Sequence, residues 1–161
     1  MKLSMSKYLI HIFNLHLKGL EMINRKLKLI EDILFATANA STAKKLKVGA
    51  LLIDEDRVIA NAYNGTLPGA HNRCEDINGK TLEVVLHAED NLIAFCAKNG
   101  ISMKGKDVYI THTPCIHCAI LLISAGIKSI TIFNEYKNTI QNHMFLDNGI
   151  GVTYVRKVDT E

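Results

Sequence analysis

Two short stretches put metal-binding and proton-carrying side chains where a packed helix would ordinarily carry neither. In "LHAEDNLIAF" (86–95), Leu92, Ile93 and Phe95 have the spacing of a helix face, yet the segment opens with His87-Ala88-Glu89. In "TPCIHCAILLI" (113–123), an apolar run opens with Pro114-Cys115 and then Cys118. Cysteines at i and i+3 of a helix start share one face. The positive end of the helix dipole there favours the thiolate that a metal requires. Two thiolates and a neutral imidazole around Zn²⁺ sum to zero charge and leave a fourth position for water, the composition of a catalytic zinc site. Glu89 is too near His87 in sequence to be an obvious fourth ligand. A carboxylate beside a metal-activated water can instead take its proton and pass it on. Each piece alone has an ordinary explanation: a polar cap for His87, a structural zinc or redox pair for the cysteines. The joint pattern on two helix starts, in a chain with no Trp, singles out one site built from His87, Glu89, Cys115 and Cys118.

The elements that must carry these residues follow from periodicity and punctuation. Leu27, Ile30, Leu34 and Ala38 keep a helical period, which predicts a helix over 25–40. "KVGALLID" (47–54) and "RVIANAY" (57–63) are β-rich runs joined at Glu55-Asp56 as a tight hairpin. Residues 64–81 hold three Gly, one Pro and three Asn, which predicts a long loop of the kind that usually serves function. A second helix is expected over 86–98, ending at Asn99-Gly100. A strand over 107–112 follows, then a third helix from Pro114, as its first residue, to Gly126. A strand over 128–133, a short helix over 139–149 and a strand over 151–158 complete the order. This order predicts an α/β fold, a three-layer α/β/α sandwich around a five-stranded mixed sheet. Helices that follow adjacent parallel strands begin at one sheet edge, so two separated helix starts can share one ion.

Residues 1–23 stand apart. Leu9, Ile12, Phe13, Leu17 and Leu20 have the spacing of an extra amphipathic helix. The alternative is a natural start at Met22, since Lys18-Gly19-Leu20-Glu21 could encode a purine-rich ribosome-binding sequence. Residues 24–161 are expected to form a single catalytic domain, and 161 residues suit one domain with a sizeable core. A hydrophobic share of 48% and a charged share of 22% are ordinary globular values. The formal charge of +3 is scattered and gives no support to a duplex nucleic-acid partner. The most apolar early run, Tyr8 to Leu17, contains His11, Asn14 and His16 and is too short to span a bilayer. Four cysteines without a secretory pattern indicate a reducing, cytoplasmic setting. Cys96 is expected as a small buried apolar residue, and Cys74 as a half-buried loop thiol.

His-Ala-Glu at 87–89 with Pro-Cys-Ile-His-Cys at 114–118 resembles the zinc-dependent cytidine deaminase superfamily. The resemblance covers residues 24–157 and is most similar to the deoxycytidylate (dCMP) deaminases through "KVGALLID", "AYNGTLPG" (62–69), "NRCED" (72–76), "HAEDNLI" (87–93) and "AGIKSITIFNEY" (125–136). It implies a cytidine deaminase-like fold in which His87, Cys115 and Cys118 hold Zn²⁺ and Glu89 shuttles protons. It implies that Asn64 binds the deoxyribose and that Tyr136 helps hold the nucleotide. The implied reaction is hydrolytic attack at C4 of the cytosine ring, giving dUMP and ammonia for thymidylate synthesis. In regulated members the Tyr-Asn-Gly loop also binds dCTP or dTTP with Mg²⁺, which maps Tyr63 and Gly65 to an effector site. The family commonly assembles as homohexamers, so a homo-oligomer is implied. Some viral relatives carry a second zinc on a cysteine equivalent to Cys74 and another before the first strand. Residues 41–47, "STAKKLK", contain no Cys, which speaks against it despite His71 nearby. His112 and Thr113 are placed to shape the base pocket, and His117 is expected to be exposed or near the site mouth.

Two alternatives stay open at this level. The zinc signature is shared with deaminases of dCTP, cytidine, guanine, tRNA adenosine and pterin-like substrates; the loop over 62–76 and Tyr136 favour a deoxynucleotide. A non-catalytic zinc module that binds single-stranded nucleic acid would need clustered aromatics along a basic groove, and aromatics are 6% of the chain and unclustered.

Overall fold

The computed structural model describes residues 3–134 and 140–155, with side chains from Leu17 onward. Four helices and five strands follow in the order α1 (Leu3–Asn39), β1 (Gly49–Asp54), β2 (Arg57–Tyr63), α2 (Ala88–Lys98), β3 (Asp107–His112), α3 (Ile116–Ser124), β4 (Ser129–Asn134), α4 (Ile140–Asp147) and β5 (Gly151–Tyr154). Among the described residues, no helix is long and apolar enough to cross a membrane.

The element order matches the sequence expectation, with two corrections. The separate helices expected within 1–23 and over 25–40 are one continuous helix, α1. The junction offers no stop signal: Gly19 costs only about 1 kcal/mol in a helix, and no Pro interrupts the run. The second correction is at α3, which begins at Ile116 rather than Pro114. Cys115 is its N-cap, with extended backbone angles (φ −68°, ψ 167°) and a sulfur that accepts from the Cys118 amide. A capping acceptor at Cys115 leaves Pro114 outside the helix.

The chain divides into two compact units, Met1–Ile33 and Leu34–Glu161. In the first, Lys28 pairs along the helix surface with Asp32 at 2.5 Å and Glu31 at 3.7 Å. The second unit holds the sheet, whose strand order is β2-β1-β3-β4-β5. β1 is antiparallel to both neighbours, while β3, β4 and β5 are parallel. The β1–β2 turn is the expected Glu55-Asp56 hairpin, with Asp54 opposite Arg57 and Glu55 in the left-handed region at φ 53°. A bulge interrupts the ladder between Leu52 and Ile53.

Alternation along the strands gives the sheet two apolar faces. One face presents Ala50, Leu52, Val108, Ile110, Ile130 and Ile132. It is covered by α2 through Leu92 and Cys96, α3 through Ala119 and Leu122, and α4 through Phe145. The last turns of α1 cover the other face, where Phe35 meets Phe133 edge-on at 5.8 Å between ring centres. Gly49 permits this approach: a Cβ there would lie 2.7 Å from the Leu34 carbonyl oxygen and 2.9 Å from the Ala38 amide nitrogen, both main-chain atoms. Gly49→Ala is therefore expected to destabilise the fold by about 2 kcal/mol or more, as overpacking against backbone does. Thermal melting of the variant checks this; an unchanged Tm would show that α1 does not pack as described.

Topology positions the site. β2 and β3 both run antiparallel to β1, so they point the same way with β1 between them. The strands feeding α2 and α3 are thus not adjacent, as the sequence argument assumed, yet their C-terminal ends still share one edge. The long connection from Tyr63 to Ala88 is anchored at this edge by paired main-chain bonds between Gly65 and Leu86 (3.1 and 2.9 Å).

Candidate active site

His87 and Cys115 are the N-cap residues of α2 and α3, and the two helix starts meet. Nδ1 of His87 lies 3.6 Å from the Cys115 sulfur and 3.4 Å from the Cys118 sulfur. The ligand atoms of the three residues all fall within 4.8 Å of one another, the single group of its kind among the described residues. One nitrogen and two sulfurs, converging with room for a fourth ligand, fit zinc in its catalytic arrangement. Asp90 supports the group from the first turn of α2. One oxygen accepts from the His87 amide at 3.4 Å, and the other lies 3.9 Å from the Cys118 sulfur.

Burial sets the electrostatics. Cys118 is fully buried, and its thiol pKa is pushed well up by desolvation, and further by the charge of Glu89. This reverses the expectation from the helix dipole alone. Without a metal, loss of solvation outweighs the dipole, and Cys118 keeps its proton at neutral pH. Glu89 is 3% exposed, and burial lifts its carboxyl from 4.5 to about 7. Such a group can both accept and release a proton near neutrality. It also makes the metal-free fold pH-sensitive. Below pH 4.5 the carboxyl is protonated in both folded and unfolded chains and costs nothing. Between pH 4.5 and about 7 the unfolded chain ionises while the fold holds the proton, so stability is lost as pH rises. The full loss is about 3 kcal/mol. Denaturant titrations of metal-free protein at pH 5 and pH 8 are expected to show this decrease, and Glu89→Gln to flatten it. Equal slopes in both proteins would overturn the assignment.

The helix starts form one wall of a cavity of about 490 Å³. His87, Glu89 and Cys115 line it from one wall, and His112 and Thr113, from the end of β3, line it as the sequence suggested. Burial lowers the His112 pKa, which keeps the ring neutral, and its Nδ1 lies 3.0 Å from Thr111 Oγ1. His117 is exposed, as expected. Asn64 also lines the cavity, but its amide is engaged by main chain: Oδ1 accepts from the Val48 amide at 2.9 Å, and Nδ2 donates to the Leu46 carbonyl at 2.8 Å. One lone pair and one N–H of that side chain remain for a ligand. Tyr63 and Gly65 lie outside the cavity lining; the Tyr63 carbonyl accepts from Asn91 of α2 at 2.8 Å. Tyr136 lies outside the described residues, as do residues 156–158 of the expected last strand.

Cys74 is 1% exposed rather than half-buried. Its sulfur faces the Thr42 hydroxyl at 3.5 Å, and among the described residues neither it nor His71 joins a group of three metal ligands. Cys96 is buried in the core, as expected. Sequence reasoning assigned no role to Glu75, Asp90, Ser41 or Lys45. Glu75 stands in the quoted "NRCED" stretch, but nothing local marks it as buried.

The model of the cytidine and deoxycytidylate deaminase zinc-binding region matches residues 24–134. The chain belongs to this family. Among curated relatives of this deaminase-family chain, ComE operon protein 2 of Bacillus subtilis is 36% identical over 120 residues, covering 71% of this chain and 63% of the relative. The deoxycytidylate deaminase of Saccharomyces cerevisiae is 28% identical over 125 residues, covering 72% and 39%. The chain thus spans less than two thirds of the length of these two relatives. Among solved structures, the dCMP deaminase of cyanophage S-TIM5, in complex with dCMP and dUMP, superposes with a TM-score of 0.72 at 32% identity. That match covers 80% of this chain and 97% of the phage enzyme, and extends the family likeness to the whole deaminase fold.

Proposed function

We propose that the protein hydrolyses the 4-amino group of dCMP, giving dUMP and ammonia. The observation that carries this reading is the buried Glu89 carboxyl beside the His87–Cys115–Cys118 group in one cavity. Zinc held by those three residues supplies Lewis acidity that makes water nucleophilic at neutral pH. Glu89 accepts the proton of the attacking water and delivers it to N3 of the ring. It then takes the remaining proton of the oxygen now bonded to C4 and passes it to the amino group, so that ammonia leaves as the C4 carbonyl of dUMP forms. Its desolvation makes each of these charge changes count for more than in water. His112 and Thr113 wall the base, and Asn64 offers its remaining N–H and lone pair to the deoxyribose.

The finer readings rest on resemblance. They are Tyr136 at the nucleotide, Tyr63 and Gly65 in a loop responding to dCTP or dTTP with Mg²⁺, a cytoplasmic homo-oligomer, and residues 1–23 as an extension of a catalytic domain over 24–161.

Ammonia release from a panel of cytosine nucleosides and nucleotides, with and without dCTP and dTTP, tests the proposal. dCMP is expected to be the preferred substrate. Tight oligonucleotide binding without deamination of any free nucleotide would replace it with the nucleic-acid module.

A further inference from the structure

A buried carboxylate that the deamination steps do not use stitches two cavity walls together. Glu75 is 7% exposed, and its Oε1 accepts from two successive amides, Lys44 at 2.9 Å and Lys45 at 3.1 Å. Burying a carboxylate is costly unless its lone pairs are used, and charge-assisted bonds to main-chain amides are the strong kind. The next residues of the same segment are held by Asn64 through Leu46 and Val48, and Ser41 donates to the Asn64 carbonyl at 2.7 Å. The segment 44–48, just before β1, is therefore fixed at Lys44, Lys45, Leu46 and Val48 from the 64–75 loop. This segment brings Lys45 to the cavity. Lys45 is the one lysine or arginine of the cavity lining, and among the described residues its ammonium forms no ion pair. A nucleotide differs from its nucleoside by a phosphate, and a lining lysine with no ion pair among the described residues carries the complementary charge.

We propose that Glu75 is a positioning residue: by holding the Lys44 and Lys45 amides it fixes the root of Lys45, whose ammonium takes the substrate's 5′-phosphate. Together they select nucleotide over nucleoside. This rests on the deaminase reading above. Anchoring the backbone limits the positions from which the flexible lysine must search, so the effect is on binding rather than on the chemical step.

The test measures kcat and KM for dCMP and for deoxycytidine with the full-length, zinc-loaded protein. Wild type is expected to favour dCMP. Lys45→Gln should lower the dCMP-to-deoxycytidine ratio of kcat/KM by about tenfold or more, mainly through KM. Glu75→Ala should lower the same ratio several-fold, again through KM. Glu75→Gln, whose amide oxygen still accepts from both N–H groups, should recover most of that loss. The Lys45→Gln/Glu75→Ala double variant should be no worse in this ratio than Lys45→Gln alone, because Glu75 acts through Lys45. If Glu75→Ala fails to fold, Glu75→Asp, too short to reach both amides, takes its place. A wild type indifferent to the phosphate, an unchanged ratio in Lys45→Gln, or additive losses in the double variant would overturn the proposal alone. A chain that deaminates no cytosine compound would remove the underlying reading, and this one with it.

Discussion

Glu89→Gln is expected to lower turnover of dCMP by about three powers of ten while the protein keeps its full complement of zinc. The two halves of this result follow from different features. Glutamine has the same shape, so the buried site beside Ala88 and Cys118 stays filled. Its amide cannot accept the proton of an attacking water, so the transfers to N3 and to the leaving amino group lose their carrier. Zinc is retained because the converging ligand atoms belong to His87, Cys115 and Cys118, and Glu89 is outside that group. Ammonia release and atomic absorption on the same sample measure both. Near-normal turnover would remove the proton-carrying role, and loss of zinc would make Glu89 a ligand. The variant also exchanges a desolvated acid for a neutral amide. The same substitution that abolishes catalysis should therefore stabilise the metal-free fold at pH 8, since the ionised carboxylate is costly there.

Cys118→Ala should reduce zinc affinity by more than about a hundredfold, beyond the loss typical of a mere outer-shell partner, and bring activity to background. Cys118 is fully buried on α3, and its sulfur is 3.4 Å from His87 Nδ1. The neighbouring donors, Asp90 at 3.9 Å and Glu89, are carboxylates, which replace a thiolate poorly on zinc held by Cys115 and His87. Alanine is a good helix former and leaves only a small void, so the fold should persist, with a loss of about 1 kcal/mol. Circular dichroism and zinc retention on dialysis against a chelator separate lost metal from lost fold. Stoichiometric zinc in the variant would overturn the ligand assignment. Metal uptake should also be coupled to protons in a defined direction. Burial holds the Cys118 proton in the metal-free protein, so zinc must displace it, and wild-type affinity should rise with pH across the neutral range. The slope should fall by one proton in Cys118→Ala.

Much of this was legible along the chain because it depends on local chemistry. The helical period of 86–98, the Glu55-Asp56 turn and the alternating strands and helices after it each rest on contacts between near neighbours in sequence. The errors arose where local signals compete. Pro114 is a good first helical residue, but the Cys115 sulfur can cap the helix, and the cap set the start at Ile116. Residues 1–23 stood apart in the sequence, but no proline interrupts the run, and Asn24, a residue type able to cap a helix, lies inside α1. Cys74 in a polar, glycine-rich loop looked half-exposed, and the segment around Thr42 covers it.

The amino-acid sequence by itself determined which residues could bind a metal and carry a proton, and that both helix starts were their seats. Residue type and spacing within a helical turn are enough for that. Tertiary structure alone decided that β2 and β3, flanking an antiparallel β1, would bring those starts together. It also decided that Glu89 would lose its water and rise toward neutrality, and that Glu75, some thirty residues from Lys45, would hold that lysine's amide. Burial and long-range pairing are properties of the packed chain: they depend on what the rest of the molecule lays over a side chain, and no window of sequence contains that.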